Sequence, residues 1–344
     1  MQRVSNKLLA ILLSLMLSVM LLGCGEDDEE DEEIIPEVSK AAYIINGLAE
    51  TMSVFDIETN EMQNDVVTVG KWPNDIKIKE NKAYVVNTGD NNVQVFELDG
   101  LTQVGIIDTG EFSSPEKIAF AGNKAYISCN TNNTTVAANL SSYQVTKTID
   151  VGVTPWGVAA AGDKVYVCNS NAVFDLDTSA MSYGDGSVTV IDTSSDSVVK
   201  DIPVGINATE IVVSGSVVVV QCTGNYADIL GQIYVIDSTS DSVTHTIDLN
   251  TTPYGLAISP DGNAYVTAFE GLIEVDLLSG SIGAPMADFE GGSGLAFDDD
   301  GNGYICVPDW MGSGNDQLLI MDASGNLAGT YAPGGGAGYV DIRE

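Results

Sequence analysis

The sequence has one histidine, His245, and only 13 lysine and arginine residues against 49 aspartate and glutamate residues. His245 falls in a segment predicted to be an outer, solvated strand, so we expect no His-based triad, zinc cluster or haem ligand set. The formal net charge is −36 at pH 7. Because nucleic acids and anionic lipid surfaces require basic patches, this charge excludes both as partners.

Catalytic groups other than carboxylates are also scarce. No Cys-x-x-Cys-His motif is present, which excludes attachment of a c-type haem. The few lysines are expected on outer strands, and the acidic run at 298–300 lacks the alternating spacing and closing glutamate of a calcium loop. A carboxylate pair could serve a lyase or a glycosidase, but no pair stands out. We therefore predict a non-catalytic protein with no cofactor and no metal site.

The first 23 residues have the three parts of an export signal. Arg3 and Lys7 precede an apolar run at 8–22, which is shorter than the roughly 20 residues that span a bilayer. The run ends in Leu21-Leu22-Gly23-Cys24, which resembles a bacterial lipobox. Residues 1–23 are therefore predicted to be a lipoprotein signal peptide, with lipidation of Cys24 attaching the mature chain to the membrane. The alternative is an ordinary signal peptide with a chance cysteine.

Eight consecutive acidic residues at 26–33 follow the cysteine. Such a block repels itself and cannot fold, so residues 24–40 are predicted to form a lipidated, flexible tether. Acidic residues at this position resemble the surface-export signals of some Gram-negative lipoproteins. We expect the protein in the bacterial cell envelope, anchored in the outer membrane rather than the inner membrane. Whether it faces the periplasm or the cell surface is left open by the sequence.

From residue 41 onward the sequence repeats itself, with short β-type runs and no sustained 3.6-residue period. One tyrosine-centred segment recurs seven times, with its anchor at Tyr43, Tyr84, Tyr126, Tyr166, Val218, Tyr265 and Tyr304. The spacing is roughly 40 residues, the size of one four-stranded propeller blade. Four cysteines, Cys129, Cys168, Cys222 and Cys306, fall in or just beyond equivalent strands of different blades. They are predicted to be buried free thiols, with one disulfide pair as the alternative.

Two further markers keep step with the first. Val151-Gly152 with Pro155 precedes one tyrosine segment, and residues 188–192 (Val-Thr-Val-Ile-Asp) follow it. Together with residues 84–87 (Tyr-Val-Val-Asn), these segments resemble the YVTN-type β-propeller repeat in its YncE-like bacterial group. The resemblance covers about residues 41–344. It implies an all-β, seven-bladed propeller whose C-terminal strand pairs with the N-terminal blade and so removes the sheet edges.

In this topology one propeller face carries tight turns and the other carries three long loops, at about 170–186, 223–231 and 308–315. Insertions in repeat proteins often map to the binding face. The candidate ligand-binding residues are the aromatic residues predicted on that face, Trp72, Phe112, Trp156, Tyr183, Tyr226, Tyr254 and Trp310. The alternative for Trp72 and Trp156 is that they cap the core between blades. Acidic residues around the loops could bind a hydroxylated ligand or stay solvated.

These observations favour a non-catalytic, lipid-anchored binding protein that captures a small molecule, a glycan or a protein partner on the loop-rich face. A protein–protein scaffold in the envelope is the second hypothesis. A narrower one follows from the resemblance, because some surface lipoproteins of gut bacteria with this architecture capture corrinoids. A lactonase-like or quinoprotein-like propeller enzyme is the alternative that the single, misplaced histidine disfavours most.

Overall fold

The computed structural model describes residues 39–175 and 179–344. The predicted signal peptide, Cys24 and nearly all of the tether lie outside these residues. The described chain belongs to one folded unit, Glu37–Glu344. Within the described ranges, no helix is long and apolar enough to span a membrane.

The described residues form β-strands throughout, apart from single 3-10 turns at Asp99–Leu101 and Ala287–Phe289. The strands of the first half are β1 (Ala41–Asn46), β2 (Thr51–Asp56), β3 (Glu61–Thr68), β4 (Pro73–Lys79), β5 (Lys82–Asn87), β6 (Asn92–Glu97), β7 (Thr102–Asp108), β8 (Pro115–Ala121), β9 (Lys124–Cys129), β10 (Thr134–Asn139), β11 (Gln144–Asp150), β12 (Pro155–Ala161), β13 (Lys164–Asn169), β14 (Ala172–Asp175) and β15 (Ala180–Tyr183). Those of the second half are β16 (Asp185–Asp192), β17 (Ser197–Ile206), β18 (Ala208–Ser214), β19 (Val217–Cys222), β20 (Gln232–Asp237), β21 (Ser242–Asp248), β22 (Pro253–Ile258), β23 (Ala264–Ala268), β24 (Gly271–Val275), β25 (Gly294–Phe297), β26 (Gly303–Val307), β27 (Gln317–Met321), β28 (Leu327–Tyr331) and β29 (Ala337–Arg343).

Seven antiparallel sheets form the blades of the predicted propeller, each with an inner strand A and successive strands B, C and D. In order, the blades are β29-β1-β2-β3, β4-β5-β6-β7, β8-β9-β10-β11, β12-β13-β16-β17, β18-β19-β20-β21, β22-β23-β24 and β25-β26-β27-β28. Strands β14 and β15 form a separate hairpin inserted between strands B and C of blade four. The all-β, seven-bladed architecture predicted from the repeat is confirmed.

The last strand closes the ring, as the repeat predicted. Strand β29 pairs antiparallel with β1, placing Tyr339 opposite Ile45 and Asp341 opposite Tyr43. Blade one is therefore completed by the two ends of the described chain. The pairing leaves no blade without its inner strand, and an unpaired inner strand would be open to aggregation.

Blade six departs from the four-stranded pattern. After β24 the chain makes only isolated bridges, Leu272 with Met286 and Val275 with Ile282, instead of a regular fourth strand. Pro285 has no N–H to donate, which interrupts a ladder at this point. Phe289, which follows these bridges, is buried in the same hydrophobic cluster as Tyr265.

The repeated tyrosines lie in the core between blades. All six of them are buried. In blade five the strand register places Val219 at the equivalent position, one residue beyond the predicted Val218, and both valines are buried. The strand after each A strand is covered on both faces by its neighbours, which explains why the B strands read as continuous apolar runs rather than alternating ones. The four cysteines in and beside these strands are buried free thiols, as predicted.

The glycine of the Val-Gly marker packs against an asparagine of the same blade. A Cβ atom on Gly152 would lie 2.5 Å from Cγ of Asn169, so only glycine fits. The amide of Asn169 is buried and donates to the hydroxyl of Thr189 on strand C at 2.9 Å. The same pairing recurs as Gly70 with Asn87 and Gly334 with Asn46. This contact explains why two of the sequence markers stay in phase.

The A strands surround a narrow central channel, and each strand contributes to its wall, among other residues, the one at a common equivalent position. These residues are Asp75, Lys117, Gly157, Glu210, Gly255, Gly294 and Tyr339. Glycine is required where neighbouring A strands approach most closely; a Cβ atom on Gly157 would lie 2.6 Å from the carbonyl oxygen of Thr209. The cavity within the channel is only about 70 Å³, so the four larger side chains largely close it.

Candidate functional site

An open cleft of about 820 Å³ lies on the loop-rich face of the propeller. Five of the aromatic residues predicted to bind a ligand line it: Trp156, Tyr183, Tyr226, Tyr254 and Trp310. These five residues come from blades four to seven, so four separate repeats supply them. We refer to it as the aromatic cleft.

Two of the long loops meet at one wall of the aromatic cleft. Tyr183 ends the inserted hairpin, and Tyr226 belongs to the loop between strands B and C of blade five. Their ring centroids are 5.8 Å apart and their planes are tilted by 59°. Phe174, from the other strand of the hairpin, lines the same cleft and is about half exposed. The hairpin insertion therefore supplies aromatic surface that the repeat alone does not provide.

The third long loop is fixed in place by a buried carboxylate. Asp316 accepts hydrogen bonds from the backbone amides of Asp309, Gly336 and Ala337 at 2.9, 2.7 and 3.1 Å. These bonds join the start of the loop to the closing strand and hold Trp310 at the cleft. Asp316 is thus a structural residue, not a ligand-facing one.

Uncharged polar groups lie between the aromatic rings of the cleft. They are the side chains of Asn130, Thr131, Asn133, Thr154, Ser170, Asn207, Thr209, Thr223 and Ser293. Glu210 is the one carboxylate among the described lining residues, and no lysine or arginine belongs to that set. The cleft thus combines flat apolar surfaces with hydroxyl and amide hydrogen-bonding groups. None of the described lining residues carries a positive charge that could attract an anion.

A second cavity of about 380 Å³ adjoins the aromatic cleft, and we call it the side cavity. Trp156, Trp310 and Tyr339 line both spaces, while Trp72 and Glu116 line only the side cavity. Trp72 is 71 % exposed, so the alternative interpretation of Trp72 as a cap over the core is wrong. Phe112 is 75 % exposed and lines neither space.

The floor between the two cavities contains a buried ion-pair cluster that sequence reasoning missed. Nζ of Lys117 lies 3.3 Å from Glu210 and 3.8 Å from Asp75. The same ammonium lies 3.9 Å from the ring centroid of Tyr339. Burial disfavours the charge of Lys117, but Glu210, Tyr339 and Asp75 outweigh it, so the pKa of the ammonium is raised. Lys117 is therefore held as a cation.

The sequence led us to expect the lysines on outer strands, and Lys117 corrects that expectation. Lys117 lies in the inner strand β8. Lys77 lies in another inner strand, β4, and its Nζ is 3.9 Å from the carboxylate of Asp341. An alignment of the seven A strands would have revealed the cluster. It places Asp75, Lys117, Glu210 and Tyr339 at the one position where the other three blades have glycine.

Glu116 occupies the neighbouring position of the same strand and differs from these paired charges. It is 6 % exposed, and its carboxylate accepts a hydrogen bond from the side-chain amide of Asn74. Burial raises the pKa of Glu116 to about 8, with smaller opposing effects from Lys117 and Asn74. Within the described ranges it makes no salt bridge.

The acidic residues of the loops mostly form local turns. Asp309 accepts from the amides of Met311 and Asn315 at 3.1 Å each, and Asp228 accepts from the Asn225 side chain at 2.8 Å. The acidic turn at 298–302 is likewise internally bonded, with Asp298 accepting from Tyr304 at 3.0 Å. Across the described part of the chain, no three His, Cys, Asp or Glu side chains gather closely enough to hold a metal ion.

Comparison with protein-family models gives no match. Comparison with curated protein sequences also gives none. Solved structures match well in fold. Hydrazine synthase of Kuenenia stuttgartiensis is 16% identical with a TM-score of 0.66, over 78% of this chain and 88% of that one.

Two further structures cover more of the chain. The dihydro-heme d1 dehydrogenase NirN is 14% identical with a TM-score of 0.59, over 89% of this chain and 75% of its own. Apo AztD from Citrobacter koseri is 15% identical with a TM-score of 0.57, over 89% and 98% of the two chains. At these identities the likeness concerns the fold alone. The strand pairing and the similarity to these structures together show that this chain is a seven-bladed β-propeller.

Proposed function

We propose that this chain is an exported, lipid-anchored binding protein of the YncE-like propeller group that captures a small molecule in the aromatic cleft without transforming it. The observation that carries the proposal is the convergence of five aromatic side chains from four blades on one open space of about 820 Å³. Ligand sites in proteins have this size, with mostly apolar walls and a few convergent polar groups.

The lining favours a ligand with flat faces and polar edges. Rings of Trp156, Tyr254 and the Tyr183–Tyr226 pair offer stacking surfaces. Hydroxyl and amide side chains between them can bind hydroxyl or amide groups of the ligand. Sugar rings and uncharged planar heterocycles both meet this description, whereas the lack of basic groups among the described lining residues disfavours anions.

A binding role is supported by how the cleft's one described carboxylate is used. Hydrolysis of a glycoside requires two carboxyl groups on either side of the bond. Glu210 is committed to Lys117 at 3.3 Å, and no second carboxylate lies among the described residues of the lining. The lipobox at Cys24 and the acidic segment at 26–33 support export and anchoring in the cell envelope.

The test is a binding screen with neutral oligosaccharides and uncharged planar heterocycles, followed by thermal shift and calorimetry. A compound that binds the cleft is expected to raise the melting temperature, because binding to the folded state alone stabilises it. Tyr226→Ala and Tyr254→Ala are expected to abolish that shift. Phe112→Ala is the matched control, since Phe112 is exposed but lines neither cavity.

The recovered ligand distinguishes binding from catalysis. A chemically unaltered compound after long incubation supports capture, whereas turnover that Glu210→Gln abolishes would establish an enzyme instead. An equal loss of binding in Phe112→Ala and Tyr254→Ala would place the ligand outside the cleft.

A protein partner is the second candidate, and the exposed apolar rim of the cleft favours it. Met311 is 91 % exposed beside Trp310, and Val173, Phe174 and Met181 of the hairpin are also exposed. Exposed apolar patches of this kind often mark protein interfaces. Cross-linking in intact cells would then capture an envelope protein in wild type but not after removal of residues 172–183.

A further inference from the structure

All three tryptophans of the protein line the side cavity. Trp72 and Trp310 are 71 % and 58 % exposed. Tryptophan side chains are largely buried in most proteins. Exposed indoles that surround one cavity are therefore unusual, and they indicate a binding surface. Trp72 is not part of the core, and it lines the side cavity but not the aromatic cleft, so neither the core nor the cleft accounts for its position.

The indole of Trp310 is held against glycine backbone. A Cβ atom on Gly338 would lie 3.4 Å from Cη2 of Trp310, and one on Gly47 would lie 3.7 Å from Cζ3. Asp316 fixes the loop that carries this tryptophan through its bonds to the closing strand. The fold therefore sets the position of Trp310 in the wall of the side cavity before any ligand arrives.

A buried carboxylate without a cationic partner lies at the same cavity. Glu116 lines it, is 6 % exposed and accepts a hydrogen bond from Asn74. The charge of Lys117 acts on Glu116, but its ammonium is paired with Glu210 and Asp75. A buried carboxylate is normally paired with a positive charge, and among the described residues Glu116 has none within salt-bridge distance.

The protein already binds a cation in this way immediately beside the cavity. The ammonium of Lys117 lies 3.9 Å from the ring centroid of Tyr339, with carboxylates on its other sides. Tyr339 also lines the side cavity. An aromatic face combined with a carboxylate is thus a cation-binding arrangement that this fold uses once within its own chain.

We propose that the side cavity is a second binding site, specific for an alkylated ammonium group, which is held by the indole faces of Trp72, Trp156 and Trp310 and by the carboxylate of Glu116. Alkylated ammonium ions bind aromatic faces through the ring quadrupole and lose little hydration on entering. Divalent metal ions need several oxygen ligands, and Glu116 is the one carboxylate among the lining residues. The site shares Trp156 and Trp310 with the aromatic cleft, whereas Trp72 and Glu116 line the side cavity only.

The experiment compares choline with 3,3-dimethylbutan-1-ol, its uncharged carbon analogue of nearly the same shape. Binding is followed by intrinsic tryptophan fluorescence, because all three tryptophans of the chain line the cavity. Calorimetry at constant ionic strength provides the second readout. Choline is expected to bind saturably and at least about tenfold more tightly than the neutral analogue.

Two variants and a control locate the site. All measurements are made at about pH 9, where the carboxylate of Glu116 is mostly ionised because its pKa is raised to about 8. At that pH Glu116→Gln keeps the shape and the hydrogen-bonding capacity toward Asn74 but removes the negative charge, and it is expected to weaken choline binding about tenfold. Trp72→Leu changes an exposed side chain, so it is expected to fold normally and to weaken choline binding about fivefold or more. Phe112→Leu, an equally exposed aromatic outside the cavity, is expected to bind choline as wild type does.

Four results would overturn the assignment. They are equal affinity for the neutral analogue, unchanged affinity in Glu116→Gln, equal weakening in Phe112→Leu, and no saturable choline binding at tens of millimolar. Tyr226→Ala distinguishes this site from the aromatic cleft, because Tyr226 lines the cleft but not the side cavity. Choline affinity is expected to stay the same in that variant, whatever happens to ligands of the cleft.

Discussion

The phenolic hydroxyl of Tyr166 donates a 2.6 Å hydrogen bond to the carboxylate of Asp241, which lies in a turn of the next blade. Nζ of Lys164 lies 2.8 Å from the same carboxylate. Lys124 and Tyr126 contact Asp196 in the same manner one blade earlier. The Lys-x-Tyr segment that marks the repeat is therefore also a contact between consecutive blades.

Asp241→Asn is expected to lower the free energy of unfolding by about 1–3 kcal/mol, because it leaves Lys164 and Tyr166 without a charged partner in a partly buried place. Chemical denaturation measures the loss. Glu58→Gln, in an exposed turn of blade one, is the matched control and is expected to change stability by less than about 0.5 kcal/mol. Equal losses in the two variants would contradict a role for Asp241 between blades.

Gly152→Ala is expected to destabilise the fold by about 1–3 kcal/mol, since the new methyl group would overlap the buried amide of Asn169. Gly335→Ala provides the control, because a Cβ atom there would meet no heavy atom within 4 Å. The melting temperatures of the two variants give the comparison. If both shifted alike, the packing explanation for the Val-Gly marker would fail.

Glu116→Gln is expected to become increasingly favourable for stability as the pH rises from about 5 to 9. Burial raises the pKa of Glu116 from 4.5 to about 8, so the folded wild type holds a proton that the unfolded chain releases. Wild-type stability is therefore lost through this pH window, whereas glutamine does not titrate.

Denaturation curves of both proteins across that range test the prediction. The difference in free energy of unfolding is expected to grow to the order of a few kcal/mol. The charged groups that act on Glu116 are Lys117 and Glu210, and both are present in each protein. A constant difference across the range would show that Glu116 is ionised in the folded state at all these pH values.

Cys24→Ser is expected to abolish incorporation of radiolabelled palmitate and to release the protein from the membrane fraction. Cys306→Ser, which alters a buried thiol of the propeller, is expected to retain both labelling and membrane association. Labelling that persists in the Cys24 variant would refute the lipobox interpretation. Loss of labelling without release from the membrane fraction would point to a different attachment.

The seven blades were predictable because burial acts on each repeat in the same way. Tyr126, Tyr166 and their equivalents fill the space between blades, so the pattern recurs wherever that space recurs. The aromatic face was predictable for a related reason, since loop length and topology together decide which face a residue reaches. Trp156, Tyr254 and Trp310 thus came together as expected.

The charged floor was not predicted, because its members look ordinary one at a time. Lys117 follows an acidic residue in a short strand, and Glu210 follows a threonine in another. Only the closure of the ring brings them within 3.3 Å. Side chains that meet through ring closure carry no local signal, whereas those that meet within a blade do.

The described chain begins and ends at the same face of the propeller. Nζ of Lys40 lies 3.0 Å from the Glu344 carboxylate, which also accepts a 2.8 Å hydrogen bond from the amide of Asp299 in a tight turn. That turn belongs to the face opposite the aromatic cleft. Fusing a tag or a surface linker to either end therefore joins it at the back of the ring, and immobilised protein is expected to keep its cleft open to solution.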